Sequence, residues 1–299
     1  MLKISIVIPT LNSERYLRET LESIKRQDYP WTEVYVVDGG SKDDTEKIAR
    51  DYVGVFHDMA ILHRKAYGEP DAINVAMEVA SGDIMAYIDS DDVYEPGALW
   101  RVSEYFEGNP KARWLYGKGK IIDEWGEETR SLVTTAKSFW WPHYRYDVLQ
   151  TVCFIVQPTV FWTRELWGLI GNFNAGEKLV FDYDYWLRAG KANRPGYIPH
   201  YLASWRAHAG AASVQEFQQE ADDALRVQRK YSNGGLAIRA GQRLVHDGTV
   251  ALYRFMASRV KPPKRRKILT PPGPRPERSE EFMAAARRAV AKHPPKQPR

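Results

Sequence analysis

The 299-residue sequence has a single cysteine, Cys153, and no long hydrophobic run. One cysteine excludes a disulfide framework and any zinc site built from several cysteines. No apolar stretch approaches the ~18 residues that a membrane-spanning helix needs. The first apolar run, residues 4–8, ends at Pro9 and is too short for a secretory signal. These absences predict a cytoplasmic protein in a reducing compartment, and the 43% hydrophobic content is enough for a sizeable core.

Acidic residues are scarce at the end of the chain. Residues 260–299 contain twelve Lys or Arg, three Asp or Glu, and nine of the 18 prolines. The net charge of this tail is therefore +9, and since the whole chain carries +5, the first 259 residues carry −4. A nucleic-acid-binding domain carries its positive charge on a folded face. A mildly acidic body with a basic, Pro-rich tail therefore predicts no nucleic-acid partner.

Strand-like and helix-like segments alternate through the first hundred residues. Residues 4–8, 33–37, 54–56 and 84–88 are apolar runs typical of buried strands, and helical patterns such as 71–79 lie between them. This alternation predicts an α/β fold with a mostly parallel central sheet and right-handed crossovers. In such sheets, ligands bind beyond the carboxyl ends of the strands.

Three polar clusters follow these predicted strands, at residues 9–10, 38–41 and 89–92. The sequence Asp-Ser-Asp-Asp at 89–92 either binds Mg²⁺ or Mn²⁺, which prefer carboxylate oxygens and bridge to phosphates, or forms a solvated turn before the next helix. Asp38 either contacts a nucleotide base or ribose, or stabilises its own turn. Taken together, the three clusters favour a pocket for a nucleoside diphosphate.

In order and spacing, these clusters resemble the motifs of family 2 glycosyltransferases. The resemblance spans roughly residues 3–215 and implies a GT-A fold, with a Rossmann-like nucleotide-binding sheet, and inverting transfer from a nucleotide-sugar. We therefore predict a catalytic domain at 1–215, a helical extension at 216–259 and the basic Pro-rich tail at 260–299. The matching stretches are residues 5–12, 36–43, 71–74, 80–83, 87–92, 157–162, 182–188 and 205–208.

The resemblance also implies roles for individual residues. The Asp-Ser-Asp sequence at 89–91 corresponds to the DXD motif of the family, in which Asp91 holds a divalent metal (Mn²⁺ or Mg²⁺) on the diphosphate. His208 is the second implied metal ligand, and Asp92 either joins them or caps the next helix. Ile73 stands where many relatives carry an arginine, so a donor contact from that position is absent. The implied donor-binding residues are Pro9, Thr10, Asp38, Asp71, Asn74, Asp89 and Ser90.

Inversion in a single displacement needs a base that deprotonates the acceptor hydroxyl, and a carboxylate is suited to this. The resemblance places this base at Asp182. Asp184 lies two residues further on, which is ~200° around a helix, so only one of the two can face the site. Asp182 is the predicted base and Asp184 the alternative.

The implied partners are a nucleotide-sugar, with a UDP-sugar expected, and a glycan or lipid-linked acceptor of cell-surface polysaccharide biosynthesis. Basic residues 261–267 either attach the protein to the inner, anionic face of the membrane or form a solvated tail. The alternative function is a catalytically silent subunit that binds a nucleotide-sugar or glycan. A further set of aromatic residues would either stack on acceptor sugars or form core: Phe139, Trp140, Trp141, Tyr144, Tyr146 and Trp186.

Overall fold

The computed structural model describes residues 1–56, 58–64, 68–129, 138–208, 216–232 and 235–259. The basic tail, and with it the predicted membrane contact, lies outside these described residues. Among the helices within them, none has the length and apolar composition that crossing a membrane requires. The division into a catalytic domain, a helical extension and a tail stays a prediction.

The described strands form one mixed sheet in the order β3-β2-β1-β4-β7-β6-β8-β5. The pairs β1–β2, β2–β3, β1–β4 and β6–β8 are parallel, while β7 pairs antiparallel with β4 and β6, and β5 pairs antiparallel with β8. The predicted α/β fold with a mostly parallel sheet is confirmed. The strands are β1 (Ile4–Thr10), β2 (Thr32–Asp38), β3 (Asp58–His63), β4 (Ile84–Tyr87), β5 (Val93–Tyr94), β6 (Trp114–Ile122), β7 (Phe161–Thr163) and β8 (Gly196–Arg206).

Helices cover both faces of this sheet. β1 is buried along its whole length, with Ile4, Ile6 and Ile8 in one core cluster and Val7 in the other, as alternating strand side chains require. The helices are α1 (Leu17–Lys25), α2 (Thr45–Arg50), α3 (Glu69–Val79), α4 (Ala98–Gly108), α5 (Tyr146–Leu149), α6 (Arg164–Ile170), α7 (Phe181–Ala192), α8 (Phe217–Tyr231) and α9 (Leu236–Arg259).

The third strand differs from the sequence prediction. Residues 54–56 form a turn in which Gly54 has a φ of +86°, and β3 lies instead at Asp58–His63, where it pairs with β2. The physical reason is that β3 has one strand neighbour among the described strands and is only half-buried, so it needs no continuous apolar run. The short apolar sequence at 54–56 was the misleading signal.

Three of the six aromatic residues suggested for acceptor binding belong to the buried core. Trp141, Tyr144 and Trp186 are buried, and the rings of Trp186 and Trp114 stack with centroids 6.0 Å apart. Phe139 is the exposed member, with 64% of its surface accessible. The core interpretation therefore holds for the three buried rings.

Buried amide side chains attach the C-terminal helices to the rest of the fold. The Gln228 amide on α8 donates to the Thr151 carbonyl, and the Gln242 amide on α9 donates to the Gln150 carbonyl, each at 3.0 Å. Gln150 in turn donates to the carbonyl of Tyr231 at the end of α8. Each contact pairs a buried amide N–H with a carbonyl oxygen, as buried polar groups require. Together, these hydrogen bonds fix the position of α8 against the segment that follows α5.

Candidate active site

Three carboxylates meet directly after β4. Asp89, Asp91 and Asp92 each offer an oxygen atom, and these atoms lie within 4.8 Å of one another. Asp92 is completely buried and accepts the backbone N–H of Arg206 at 2.7 Å. Its other oxygen, and one oxygen of Asp89, are buried without a hydrogen-bond partner among the described residues. Carboxylates this close repel one another unless a proton or a cation lies between them.

His208 completes this cluster from a distant part of the sequence. Its Nε2 lies 2.8 Å from the Oδ2 of Asp91, and both side chains are partly buried. The structure thus brings together the two residues predicted to hold a metal. The orphaned buried oxygens and the neighbouring carboxylates fit a hard divalent cation such as Mg²⁺ or Mn²⁺, for which carboxylate oxygens are favoured ligands.

The electrostatics of the cluster agree with that fit. Burial, followed by the charges of Glu69, Asp92 and Asp91, raises the pKa of Asp89 well above its usual range. Burial, followed by the charge of Asp91, likewise raises the pKa of Asp92. Each of these two carboxyls therefore retains a proton at a higher pH than a free aspartate does, until a cation replaces it.

Glu69 is a member of the site that the sequence analysis missed. It is the first residue of α3, keeps contact with solvent, and shares a hydrogen bond with the Asp89 carboxyl. Although the residue as a whole is exposed, loss of water around its carboxyl in the acidic cleft, followed by the charges of Asp182 and Asp91, raises the pKa of Glu69 to about 7. The only sequence signal was an acidic residue in the first turn of a helix, a position that the helix dipole also favours.

The two candidate bases on α7 have different surroundings. Asp182 is half-buried in the first turn of the helix, and its charge reaches Glu69 and Tyr87 in the acidic cleft. Its carboxylate also accepts the N–H of Tyr183 at 2.6 Å. Asp184 is 1% exposed and accepts three hydrogen bonds, from Arg188 at 2.9 Å and from two α8 residues, a lysine at 3.0 Å and a tyrosine at 2.7 Å. Asp184 thus joins α7 to α8.

The predicted donor residues on β1 and β2 lie side by side. Pro9 and Thr10 end β1, and Thr10 is in register with Asp38 at the end of β2. Asp38 is buried, and its carboxylate accepts hydrogen bonds from the backbone N–H groups of Gly40 and Ser41, each at 3.1 Å. The carboxylate therefore stabilises its own turn and is held in a fixed orientation there.

Arg64 provides a positive charge at this edge of the sheet. It follows β3, its backbone N–H donates to the Asp38 carbonyl at 2.9 Å, and its Nε lies 3.0 Å from the Asp71 carboxylate. Position 73, where many relatives carry an arginine, is a fully buried isoleucine here. The cation near Asp71 thus comes from the residue that follows β3 rather than from α3, and the sequence analysis did not identify it.

Asn74 and Ser90, two further predicted donor residues, also make hydrogen bonds within the protein. The amide of Asn74 is buried, donates to the Phe173 carbonyl and accepts the Phe173 N–H, both at 2.9 Å. It therefore holds the segment that leads to α7. The hydroxyl of Ser90 donates to the hydroxyl of Ser13 at 2.7 Å, which ties the acidic cluster to the loop after β1.

Residues 5–166, more than half of the chain, match the model of the family described as "Glycosyl transferase family 2". The chain belongs to this family. The expected glycosyltransferase class is thereby confirmed. Asp182 and His208 lie beyond the matched segment, so the roles predicted for them are not covered by this match.

Two curated relatives illustrate the range of the family. A PGL/p-HBAD biosynthesis glycosyltransferase from Mycobacterium bovis (strain BCG / Pasteur 1173P2) is 29% identical over 216 residues, covering 71% of this chain and 77% of that protein. Chondroitin synthase from Escherichia coli is 25% identical over 224 residues, covering 75% of this chain and 32% of that protein. The two matches cover similar shares of this chain, and the lengths of the relatives differ.

Solved structures confirm the GT-A fold of this glycosyltransferase. Staphylococcus aureus TarS 1-349 in complex with UDP-GlcNAc is similar with a TM-score of 0.63 and 21% identity, over 87% of this chain and 76% of that chain. The mannosyltransferase PcManGT from Pyrobaculum calidifontis, in complex with GDP-Man and Mn²⁺, has a TM-score of 0.62 and 17% identity, over 97% and 86% of the two chains. At these identities the likeness is one of fold.

Proposed function

We propose that this protein is a metal-dependent, inverting glycosyltransferase that moves a sugar from a nucleotide-diphosphate-sugar to a hydroxyl group of a glycan or lipid-linked acceptor. The observation that carries the proposal is the cluster of Asp89, Asp91 and Asp92 with His208 beside Asp91, at the edge of the sheet where β1, β2 and β4 end. Structural neighbours solved with UDP-GlcNAc or with GDP-Man and Mn²⁺ support this type of donor, and we expect a UDP-sugar.

Asp91 and His208 would hold the divalent cation, and Asp89 would face it with its unpartnered buried oxygen. When bound, the cation supplies positive charge that stabilises the departing diphosphate. Pro9, Thr10, Asp38, Asp71, Asp89 and Ser90 remain the proposed donor-binding residues. For Asn74, the paired contacts with Phe173 support a role in positioning the segment before α7 instead.

In the proposed reaction, Asp182 acts as the general base. The acceptor oxygen forms a bond to the anomeric carbon while the bond from that carbon to the diphosphate oxygen breaks, and the acceptor proton passes to the Asp182 carboxylate. Asp182 suits this task because its side chain is only half-buried at the acidic cleft. Asp184 does not, because three donors already occupy its buried carboxylate.

The first test is a thermal-shift panel of UDP, GDP, dTDP and CDP, each with and without Mn²⁺. A ligand at 100 times its Kd stabilises the native state by about 2.7 kcal/mol, so one nucleotide should raise the melting temperature when Mn²⁺ is present. Asp91→Ala should abolish this shift. Asp51→Ala is the matched control, since Asp51 pairs with Arg18 on the exposed surface and should leave the shift intact.

The outcome also separates the two candidate functions. A metal-dependent shift followed by sugar transfer that Asp182→Asn abolishes would establish the enzyme. The same shift without any transfer would favour the silent nucleotide-sugar-binding subunit. An absence of any shift, with all four nucleotides, would contradict the proposed donor.

We also propose that the basic tail attaches the protein to anionic lipid at the inner face of the membrane. Residues 261–267 contain five Lys or Arg, and α9, which precedes them, exposes Leu236 and Leu244 to solvent. Basic segments near such a surface contribute about 1 kcal/mol per charge. Co-sedimentation with anionic vesicles should decrease when the chain is ended at Ser258. Equal binding by both forms would refute the role of the tail.

A further inference from the structure

Arg206 is a buried cation next to the acidic cluster, and neither the sequence analysis nor the proposed reaction assigns it a role. It ends β8 and is 1% exposed. Its Nε donates to the backbone carbonyl of Asp91 at 2.7 Å, its Nη1 to the carbonyl of Asp123 at 3.2 Å, and its Nη2 to the carboxylate of Glu19 at 2.8 Å. Its backbone N–H donates to the Asp92 carboxylate. One residue thus holds two of the three cluster aspartates.

The same guanidinium reaches His208 through an aromatic ring. Tyr16 is 8% exposed, and the Cζ of Arg206 lies 4.7 Å from its ring centroid. The imidazole of His208 lies 5.0 Å from the same ring, centroid to centroid. A cation over an aromatic face is attracted by the ring, and the attraction grows where water is excluded. The Tyr16 ring therefore connects the Arg206 guanidinium to the imidazole that contacts Asp91.

We propose that Arg206 is a positioning residue of the metal site: it fixes the Asp91 backbone directly and the His208 ring through Tyr16, so that the Asp91 carboxylate and the His208 imidazole meet. This inference rests on the proposed metal-dependent function. Arginine is suited to the task because its planar group donates in three directions at once, here to three different oxygens. A lysine retains the charge but has one nitrogen and no planar group to stack.

Arg206→Lys in the full chain is the direct test, because it separates geometry from charge. The probe is Mn²⁺, titrated in the presence of UDP and followed by the loss of the free-ion EPR signal. Changes in groups that orient metal ligands typically weaken metal binding by about 10–100-fold, and we expect a loss in that range together with an altered spectrum of the bound ion. Raising the Mn²⁺ concentration should restore the nucleotide-dependent thermal shift.

Arg15→Ala is the matched control. The Cζ of Arg15 also lies against the Tyr16 ring, at 4.8 Å, but its side chain is half-exposed and pairs with Glu124 rather than with the acidic cluster. This variant should bind Mn²⁺ as the wild type does. A melting temperature for each variant shows whether it has folded.

A second pair of variants tests the aromatic connection without touching Arg206. Tyr16→Phe keeps the ring and should retain Mn²⁺ binding, while Tyr16→Leu removes the ring and should weaken it. If Arg206→Lys folds and binds Mn²⁺ with wild-type affinity, the inference is overturned. If Arg206→Lys does not fold, the Tyr16 variants decide, and equal Mn²⁺ affinities of Tyr16→Phe and Tyr16→Leu would overturn the inference. Absence of Mn²⁺ binding by the wild type itself would instead refute the metal dependence on which the inference depends.

Discussion

Replacing Asp184 by asparagine should lower the stability of the protein, whereas the same change at Asp182 should lower its activity. An asparagine at 184 keeps one oxygen acceptor but turns an amide N–H₂ group toward donors that now face a carboxylate. The donors are the Arg188 guanidinium, the Lys230 ammonium and the Tyr231 hydroxyl. At least one of these three hydrogen bonds is lost, because Lys230 and Tyr231 share one carboxylate oxygen and Arg188 uses the other.

The structure sets the size of this effect. A hydrogen bond to a charged group contributes about 1.5–3 kcal/mol when it is buried. The Lys230 side chain is 48% exposed, so its pair with Asp184 contributes less to the free energy of unfolding, roughly the 0–1 kcal/mol of a surface ion pair. Arg188 keeps two backbone carbonyl acceptors after the change. The expected loss is therefore about 1.5–3 kcal/mol, or about 3–6 °C in melting temperature at the ~2 °C per kcal/mol expected for a chain of this size.

The assay compares both asparagine variants by thermal unfolding and by sugar transfer. Asp182→Asn should melt like the wild type and lose about 10²–10⁴-fold in kcat, the usual contribution of a general base. Asp184→Asn should melt earlier and retain kcat at a temperature where it is folded. The reverse pattern, with kcat lost in a stable Asp184→Asn and kept in Asp182→Asn, would show that the base has been assigned to the wrong residue.

Three further predictions concern stability. Asn74→Ala leaves the buried N–H and carbonyl of Phe173 without partners and should lower the free energy of unfolding in urea by about 2–4 kcal/mol, with nucleotide affinity unchanged. Glu69→Gln should raise the melting temperature of the metal-free protein at pH 8 but not at pH 4: the raised pKa of Glu69 favours folding below its ordinary value of 4.5, and this contribution is lost as the pH rises through about 7. His246→Gln should destabilise the protein more at pH 6 than at pH 9. Its hydrogen bonds to Asp247 and Asp222 raise the pKa of His246, so its contribution is present below 6.5 and is lost above the raised value.

Each of these has a contrary result that is easy to recognise. Weakened UDP binding by a stable Asn74→Ala would return Asn74 to the donor pocket. If the difference in melting temperature between Glu69→Gln and the wild type, measured with EDTA present, did not change with pH, the Glu69 carboxyl would not interact with the other charges of the cleft. An effect of His246→Gln that grows with pH would have the wrong sign for a histidine paired with carboxylates.

The edge of the sheet that carries the site was predictable because local signals agree there. Buried runs such as β1 and β4 end at the polar clusters of Thr10 and of residues 89–92, and parallel strands place their carboxyl ends together. The family motifs add His208, which no local pattern joins to Asp91. The two residues are 117 positions apart in the sequence, so the spacing of residues alone could not predict that they meet.

The parts of the fold and site that were not predicted depend on long-range contacts or lie on the outermost strand of the sheet. Arg64 and β3 lie at an edge of the sheet, where half-burial weakens the apolar pattern that predicts strands. Glu69 resembles an ordinary helix-start residue until the fold brings Asp89 and Asp182 against it. In the sequence, Arg206 is typical of an exposed charged residue in a strand. It is buried because the end of β8 packs against the acidic cluster.

The place of β8 in the sheet has a consequence for how the molecule assembles. β8 lies between β6 and β5, yet it begins at Gly196, long after β6 has been synthesised. Until it arrives, β6 presents an unpaired edge, and closing so long a loop has an entropic cost. The acidic cluster acquires Arg206 and His208 only at that step. A fragment ended at residue 166, where the family match stops, would contain seven of the eight described strands but lack β8, the partner of both β6 and β5. It would therefore be prone to aggregation rather than a minimal enzyme.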